Sequence, residues 1–389
     1  QYYNYSMILI LYYNQNLTDS QSLHEHLFFT IFQVTNFSQM FRHIRKRLII
    51  KIVCIVISIF VFLKAVTKRA STPKHNIMPS LHYISQKTIR DNNNSSSIKS
   101  QHEQTSKSQK CDIPLNNNNP ASLAQRFPHI IIIGFGKAGT RALYQMIRLH
   151  PDVVGPSQEL RFFSDDRKYK QGVHAYTKLM PATTKTQRTI EKSPDYIIKP
   201  GVAQRLKTAI NHCHRGDDIK FIIVLREPFK RTISEYLHWK LYLKSIKGKK
   251  LGDFEKLAFK NSGEINNFLA QVNTSIYSYH IKNWLKIFDM KKVCFVDGDA
   301  LVKDPYFVVK KLETCLKLRN FITSKHFYYN KKKGYYCPVN EKRIPRCLGS
   351  NKGRIHPHID KNVEIKLRKF FEPYNKELFN ITGLNFGWM

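Results

Sequence analysis

The segment HIIIIGFGKAGTRALYQMIRLHP, residues 129–151, determines the architecture that the rest of the chain must fit. The isoleucine run 130–133 is typical of a short strand buried on both faces, and residues 140–151 have the apolar spacing of a helix. Glycines at 134, 136 and 139 let the connecting backbone approach a ligand closely, and the start of a helix favours an anion. The segment therefore predicts a strand, a loop for a phosphate or sulfate ester, and a helix. A purely structural turn is the alternative.

The loop carries side chains suited to an ester anion. Lys137 supplies a positive charge, and Thr140 supplies a hydroxyl at the start of the helix. A Walker A loop is excluded, because that motif needs four residues between its first glycine and the Gly-Lys pair. This spacing argues against a P-loop kinase.

Two further strand–helix units follow. The runs KFIIVLRE (220–227) and KKVCFVDGD (291–299) have strand length, and a segment with helical spacing follows each. Such alternation predicts an α/β domain with a central parallel sheet flanked by helices. Arg226 would end its strand at the edge where open α/β sheets bind ligands, and Ser234 would lie on the next helix. Both could reach one phosphate, although Arg226 could equally pair with an acidic side chain.

A hydrophobic run at 48–66 precedes this domain and is long enough to span a bilayer. We expect a single-pass signal-anchor there, with residues 1–47 as a cytoplasmic tail and the remainder in the lumen. A cleaved signal peptide would need a small-residue cleavage site, which FLKAVTKRAST does not offer. A buried core helix would not bring the basic residues that precede the run, Arg42, Arg45, Lys46 and Arg47. Residues 1–39 show no periodicity and would also be explained by an extended gene model ahead of Met40.

Residues 67–127 are polar and poor in aromatic side chains, so they predict a flexible luminal stem. The folded domain is then expected at 128–389. Asn-x-Ser/Thr triplets fit glycosylation in a luminal compartment, although an asparagine-rich chain produces them by chance. Beyond the predicted anchor they begin at Asn93, Asn94, Asn273 and Asn380.

The net charge of the chain indicates the class of its binding partner. The chain has 64 Lys and Arg against 28 Asp and Glu, a formal net charge of +36. Such a charge attracts polyanions, although AT-rich codon usage would also enrich lysine.

The seven cysteines form no CxxC pair, which argues against a zinc ribbon, and no metal-ligand cluster is visible. The ten-residue spacing of Cys337 and Cys347 leaves open a local disulfide or two free thiols.

Eight ordered segments from about Pro128 onward resemble the PAPS-dependent sulfotransferases, and most closely the heparan sulfate glucosamine 3-O-sulfotransferases. The segments are IIIGFGKAGTRAL (131–143), LHPDVVGPSQELRFF (149–163), TIEKSPDYI (189–197), IIVLREPFKRTISEY (222–236), VDGDALVKDP (296–305), KGYYC (333–337), CLGSNKGRIHP (347–357) and KLRKFFEPYNKELFNITG (366–383).

The resemblance implies a P-loop-like sulfotransferase domain and PAPS as the sulfuryl donor, with no metal required. In the family, the loop matching Lys137 to Arg141 holds the 5′-phosphosulfate. Positions matching Arg226 and Ser234 hold the 3′-phosphate, and a loop matching 352–354 closes over the nucleotide. A family disulfide precedes that closing loop, which implies a Cys337–Cys347 pair. The implied donor-binding set is Lys137, Ala138, Gly139, Thr140, Arg141, Arg226, Ser234, Tyr335, Lys352, Gly353 and Arg354.

The resemblance also implies heparan sulfate as the acceptor, with in-line transfer to the 3-hydroxyl of a glucosamine. The family's catalytic glutamate matches Glu159, which would accept the hydroxyl proton. Lys137 would stabilise charge on the leaving oxygen, and Lys192 would lie by the donor sulfate and the acceptor. The residues expected on the acceptor side are Arg161, Lys192, Lys230, Arg231 and His238.

Several positions depart from the family pattern and leave alternatives open. Ala138 replaces a usual glycine, Arg161 a histidine, Ser164 an aspartate and His238 a glutamine. The alternatives are an N- or 6-O-sulfotransferase and a noncatalytic heparin-binding pseudoenzyme. Nucleic acid is not an expected partner, because no RNA-binding motif is present. A Golgi location as a type II membrane protein is expected from the anchor, stem and domain order.

Overall fold

The computed structural model describes residues 111–115, 123–248, 250–339, 343–349 and 356–388. The predicted anchor, most of the predicted stem and the loop at 352–354 lie outside these residues. Within them, no helix has the length and apolarity needed to cross a membrane.

Strands and helices alternate along the domain. The strands are β1 Ile113–Pro114, β2 Ala124–Gln125, β3 Ile130–Gly134, β4 Val153–Val154, β5 Ala182–Thr183, β6 Arg188–Lys192, β7 Lys220–Leu225, β8 Val293–Asp297, β9 Phe327–Asn330 and β10 Tyr335–Pro338. The α-helices are α1 Thr140–Ile147, α2 Asp166–Tyr169, α3 Gly172–Lys178, α4 Val202–His212, α5 Pro228–Lys247, α6 Phe254–Leu257, α7 Ala270–Asn273, α8 Tyr277–Leu285, α9 Gly298–Lys303, α10 Pro305–Cys315 and α11 Lys361–Thr382. Short 3₁₀ turns cover Tyr196–Ile198, Met290–Lys292 and Ser324–His326.

The central sheet has five strands in the order β4-β6-β3-β7-β8, and each neighbouring pair is parallel. This confirms the predicted α/β class. Every residue of β3 is buried, as expected for a central parallel strand covered on both faces. The carboxyl ends of β3, β6, β7 and β8 meet at one edge, so the segments after these strands lie together.

Two smaller sheets accompany the central one. Strands β1, β2 and β5 pair antiparallel, and β9 and β10 form a hairpin. The first sheet joins residues near position 111 to the segment that precedes β6. In sequence, the hairpin precedes the loop that was predicted to close over the nucleotide.

Helix α5 is 20 residues long, and its two halves differ in exposure. Its N-terminus is capped by the Glu227 carboxylate, which accepts hydrogen bonds from the backbone N–H groups of Phe229 and Lys230. Apolar side chains on its first half pack against Leu367 and Phe371 of α11. From 238 to 246 almost every residue is exposed, so this end of the helix projects from the domain.

Three disulfides cross-link the described part of the chain. The predicted pair Cys337–Cys347 is present. The pairs Cys111–Cys213 and Cys294–Cys315 were not predicted, because their partners lie 102 and 21 residues apart and only the fold brings them together.

The folded unit begins earlier than the sequence suggested. Cys111 is buried and disulfide-bonded, and residues 113–114 and 124–125 are strands of the small sheet. Phe127 is fully buried in the main core. Residues 111–115 and 123–127, assigned to the stem by their polar composition, therefore belong to the domain rather than to a linker.

Candidate active site

The phosphate loop connects β3 to α1. Lys137 and Gly139 both have positive φ, at 71° and 111°, and this turns the chain sharply into the first turn of α1. Glycine adopts such a conformation without strain, whereas lysine does so only when its surroundings hold it there. No acidic side chain occupies the first turn of α1, so its dipole and free N–H groups remain suited to an anion.

A neighbouring turn presses directly against this loop. Gly298 follows β8, and a methyl group on its Cα would overlap the carbonyl oxygen of Ala138. The Ala138 side chain itself is buried, so the alanine found where the family has glycine is accommodated. The loop is therefore braced by backbone contact from the β8–α9 junction.

Arg231 supports the loop from the other side. Its guanidinium donates to the carbonyl oxygen of Gly136 at 3.2 Å, to Gln271 O at 2.6 Å and to Ser275 Oγ at 2.7 Å. It also pairs with Glu235 at 2.7 Å, and its side chain has no exposed area. Arg231 was predicted to contact the polysaccharide, and this prediction is wrong, because the side chain is buried and engaged within the protein. The exposed cation on this turn of α5 is its neighbour Lys230.

Arg226 lies at the carboxyl end of β7, as predicted. Its Nε is 3.3 Å from Asp299 Oδ1, and the other oxygen of Asp299 accepts the Glu227 N–H. The carbonyl oxygen of Arg226 accepts a hydrogen bond from the Tyr277 hydroxyl at 2.8 Å. The arginine is thus oriented by an acidic partner while its side chain stays a quarter exposed.

Two cations predicted to bind the donor, Lys137 and Arg226, and one predicted to bind the acceptor, Lys230, all act on the His356 side chain. Burial lowers the pKa of His356, and the nearby charges of Arg226, Lys230 and Lys137 lower it further, against an opposing effect of Asp299. Cations from the phosphate loop, the end of β7 and the start of α5 therefore act on the same point. A bound anion would offset this concentration of positive charge, so the residues fit a phosphorylated nucleotide.

The remaining predicted donor contacts lie on α5, on β10 or outside the described residues. Ser234 is half-buried on the second turn of α5. The Tyr335 hydroxyl donates to the carbonyl oxygen of Leu348 at 3.4 Å, which ties β10 to the segment after Cys347. Lys352, Gly353 and Arg354 are not among the residues described.

Glu159 pairs with two cations, Lys192 and Arg161, and lines a small cleft with Lys192. The Lys192 ammonium pairs with Glu159 Oε1, and Arg161 donates to Oε2 from Nη2 at 3.1 Å. Burial alone would raise the pKa of the Glu159 carboxyl, but the charge and hydrogen bond of Lys192, together with Arg161, hold it below its usual value. Burial, with the charge of Arg141 added, lowers the pKa of Lys192 against the attraction of Glu159.

This cleft has a volume of about 70 Å³ and shares a wall with α1. Arg141 and Lys192 both line it, so the helix that begins at the phosphate loop extends into the Glu159 site. Sequence reasoning missed Arg148, which lies over the Tyr144 ring at 5.1 Å and lines the same cleft. The signal was available, because Arg141, Gln145 and Arg148 recur at the spacing of one helix face.

His238 and a larger cavity complete the surroundings. His238 is exposed on α5 with its ring near those of Trp239 and Tyr242. A cavity of about 750 Å³ opens beside the carboxyl ends of β7 and β8, with Lys230, Asp299 and Trp388 among its lining residues. Within the ranges that the structure describes, no group of three or more His, Cys, Asp or Glu side chains could hold a metal ion.

The fold and the loop chemistry agree with a family comparison. The model of the Sulfotransferase domain family matches residues 127–382. That match includes the phosphate loop, Glu159, Lys192, Arg226 and Ser234. The class defined by fold and site is that of a PAPS-dependent sulfotransferase.

Curated relatives narrow the class further. The chain is 42% identical over 267 residues to heparan sulfate glucosamine 3-O-sulfotransferase 5 of Mus musculus, covering 68% of this chain and 75% of the relative. It is 37% identical over 279 residues to heparan sulfate glucosamine 3-O-sulfotransferase 3B1 of Homo sapiens, covering 71% and 68%. The protein therefore belongs to the heparan sulfate glucosamine 3-O-sulfotransferase family.

Among solved structures, a sulfotransferase from Alicyclobacillus acidocaldarius aligns with a TM-score of 0.49 at 21% identity, covering 68% of this chain and 99% of that one.

Proposed function

We propose that this enzyme transfers a sulfuryl group from PAPS to the 3-hydroxyl of a glucosamine residue in heparan sulfate, with Glu159 as the general base. The observation that carries the proposal is the Glu159 carboxylate, which pairs with both Lys192 and Arg161 and lines a cleft together with Arg141, a residue in the first turn of the helix that begins at the phosphate loop. The family relatives named above support the acceptor, since each is named for this reaction.

PAPS supplies an activated sulfuryl group whose sulfur–oxygen bond breaks as the acceptor oxygen forms a new bond to sulfur. Lys137, Thr140 and the N-terminus of α1 would bind the phosphosulfate end, and Arg226 with Ser234 the 3′-phosphate. Lys137 would stabilise the negative charge that appears on the leaving oxygen. Glu159 would accept the proton of the attacking hydroxyl.

The ion pairs of Glu159 with Lys192 and Arg161 limit its basicity until they are broken. While Lys192 and Arg161 both face Glu159, its affinity for a proton is reduced. An incoming sulfate group would compete for these two cations, and Glu159 would regain basicity as they turn to the new partner. Arg161 is suited to this exchange because its side chain is 58% exposed, whereas Lys192 is 6% exposed.

The acceptor would lie along a basic surface. Lys230 and Arg161 are exposed cations beside the site, and Arg148 lines the cleft. Arginine can pair with sulfate or carboxylate through two hydrogen bonds. His238 would contribute from the projecting half of α5.

We also propose that the catalytic domain faces the Golgi lumen behind a single-pass anchor at 48–66. Three disulfides among the described residues support an oxidising compartment. The exposed position of Asn273 and Asn380 is compatible with glycosylation there.

The test uses the full chain with radiolabelled PAPS and heparan sulfate, followed by digestion and disaccharide analysis. We expect label on the glucosamine 3-oxygen, and its loss in the Glu159→Gln variant. Label on nitrogen or the 6-oxygen would assign a different acceptor position. Absence of transfer, with PAP and heparin still bound, would identify a noncatalytic protein.

A further inference from the structure

A buried carboxyl lies directly behind the loop that carries Glu159. Glu191 is the residue before Lys192 on β6, and it is fully buried in the described structure. Successive residues of a strand point to opposite faces, so Lys192 reaches the cleft while Glu191 turns inward. No step of the proposed reaction uses this carboxyl.

One attachment of the base loop passes through Ser193. The backbone N–H of Arg161 donates to Ser193 Oγ at 2.8 Å, and the Ser193 hydroxyl donates in turn to Glu191 Oε1. Arg161 has a φ of 49°, a conformation that a side-chain-bearing residue keeps only when its surroundings hold it. The hydrogen bond to Ser193 is one of the contacts that hold this turn, two residues from Glu159.

A second attachment passes through Tyr176 of α3. The Tyr176 ring packs against Phe162 and Phe163 with ring centroids 5.0 and 4.8 Å away. Its hydroxyl donates to the other oxygen of the same carboxyl, Glu191 Oε2, at 3.3 Å. Ser193 therefore holds the backbone of the loop at 159–163, and Tyr176 holds its aromatic side chains. Both residues donate a hydrogen bond to the Glu191 carboxyl.

The geometry points to Glu191 as a positioning residue, which acts through Ser193 and Tyr176 to hold the Glu159 carboxylate in line with Lys192. The inference rests on the proposed function, since it assumes that Glu159 is the base. Two neighbouring residues of β6 then act on the base: Lys192 contacts Glu159 directly, and Glu191 positions the loop that carries Glu159.

The electrostatic state of Glu191 suits a structural hydrogen-bonding role. Burial raises its pKa to about 8, against the opposing effects of Ser193 and Lys192, with Asp195 acting in the same direction as burial. Near neutral pH the carboxyl is thus mostly uncharged. Glutamine has nearly the same shape and no charge, so it should replace Glu191 better than alanine does.

The test compares Glu191→Ala, Glu191→Gln and Ser193→Ala in the full chain by steady-state kinetics, PAP binding and thermal unfolding. We expect the two alanine variants to lose about tenfold to a hundredfold in kcat, because a displacement of about 1 Å at the base has such an effect. Their Kd for PAP should stay close to wild type, because the phosphate loop is not involved. The Gln variant should recover most of the lost kcat.

Glu313→Gln is the matched control, because Glu313 is also fully buried but lies on α10 with Lys310 and the backbone of 321–322. The Glu313→Gln substitution should lower the Tm without lowering kcat. An unchanged kcat in folded Ser193→Ala and Glu191→Ala would overturn the inference, as would an equal loss in Glu313→Gln. Glu159→Gln is assayed alongside. Full activity in that variant would contradict the assignment of Glu159 as the base, whereas the outcomes above test only the positioning role of Glu191.

Discussion

Arg161 occupies a position where the family pattern has histidine, and it adds a second cation to Glu159. We predict that Arg161→Gln raises the pKa of Glu159, because it removes one of the two charges that lower it. The free base must be ionised, so activity falls as pH drops through its pKa. In the variant, the acidic limb of kcat/KM should therefore move to higher pH.

The matched control for this profile is Arg167→Gln. Arg167 lies on α2, is 84% exposed, and pairs at 3.8 Å with Asp165, the N-cap residue of the same helix. Its pH profile should coincide with that of the wild type. Coincident profiles for wild type and Arg161→Gln would show that Arg161 does not tune the base.

Arg231 and Lys230 are adjacent, yet their environments are opposite. We predict that Arg231→Met lowers the free energy of unfolding by about 3 kcal/mol, because it leaves Glu235 and three oxygen acceptors without their buried partner. PAP binding should also weaken, since Gly136 of the phosphate loop loses its support. Urea unfolding and calorimetric PAP titration measure the two effects.

Lys230→Met serves as the paired control and should leave the free energy of unfolding within about 0.5 kcal/mol of wild type. Equal stability of the two variants would contradict the structural role of Arg231. The error in the sequence interpretation has a physical cause. The face of α5 that carries Arg231 is covered by Gln271 of α7 and by Ser275 just after that helix, and nothing in the local pattern reveals a segment 40 residues away.

Other residues show what could be read before the fold was known. The loop at 134–141 and Arg226 follow from buried apolar runs that end in glycine or a charge, so they were found from pattern alone. Glu159 was found only by resemblance, because a half-exposed glutamate has no local signature. Glu191 was missed, because a carboxyl between Ile190 and Lys192 reads as the solvent-facing position of a strand.

At the scale of secondary-structure elements, the junction of β8 with α9 sets the position of the phosphate loop. We predict that Gly298→Ala weakens PAP binding by about tenfold, because the added methyl group overlaps Ala138 O and approaches Leu225 O to 2.9 Å. Relief of such overlap typically costs about 1–3 kcal/mol through backbone shifts. Calorimetric titration with PAP measures the loss.

Gly216→Ala is the control for this substitution, because an added Cβ there meets no atom within 4 Å and Gly216 is not among the positive-φ glycines. Its PAP affinity should equal that of the wild type. Wild-type affinity in Gly298→Ala would mean that the loop moves without consequence for the nucleotide.

The elements themselves were largely predictable. Strands β3, β7 and β8 are continuous apolar runs, and helices α1, α5 and α10 follow them as the alternation requires. Strands β1, β2 and β5 have two residues each and carry no periodicity, so β1 and β2 were assigned to the predicted stem and β5 was not predicted. Their pairing depends on contacts between residues that are distant in sequence.

At the scale of the whole molecule, disulfides of very different span should differ in their effect on stability. We predict that loss of Cys111–Cys213 lowers the free energy of unfolding by about 2 kcal/mol more than loss of Cys337–Cys347, because a longer closed loop restricts the unfolded chain more. Double Cys→Ser variants of each pair, unfolded in urea, measure the difference. Equal losses would mean that native contacts, rather than chain entropy, dominate the effect.

The Cys111–Cys213 bond also determines how this enzyme responds to proteolysis. The chain between these two cysteines contains the phosphate loop, Glu159 and Lys192. A single cut anywhere in that interval leaves both fragments joined, so a non-reducing gel shows one band of unchanged mass. A preparation judged intact by that gel can thus have lost the backbone continuity between its nucleotide loop and its base, and only reduction before electrophoresis reveals the nick.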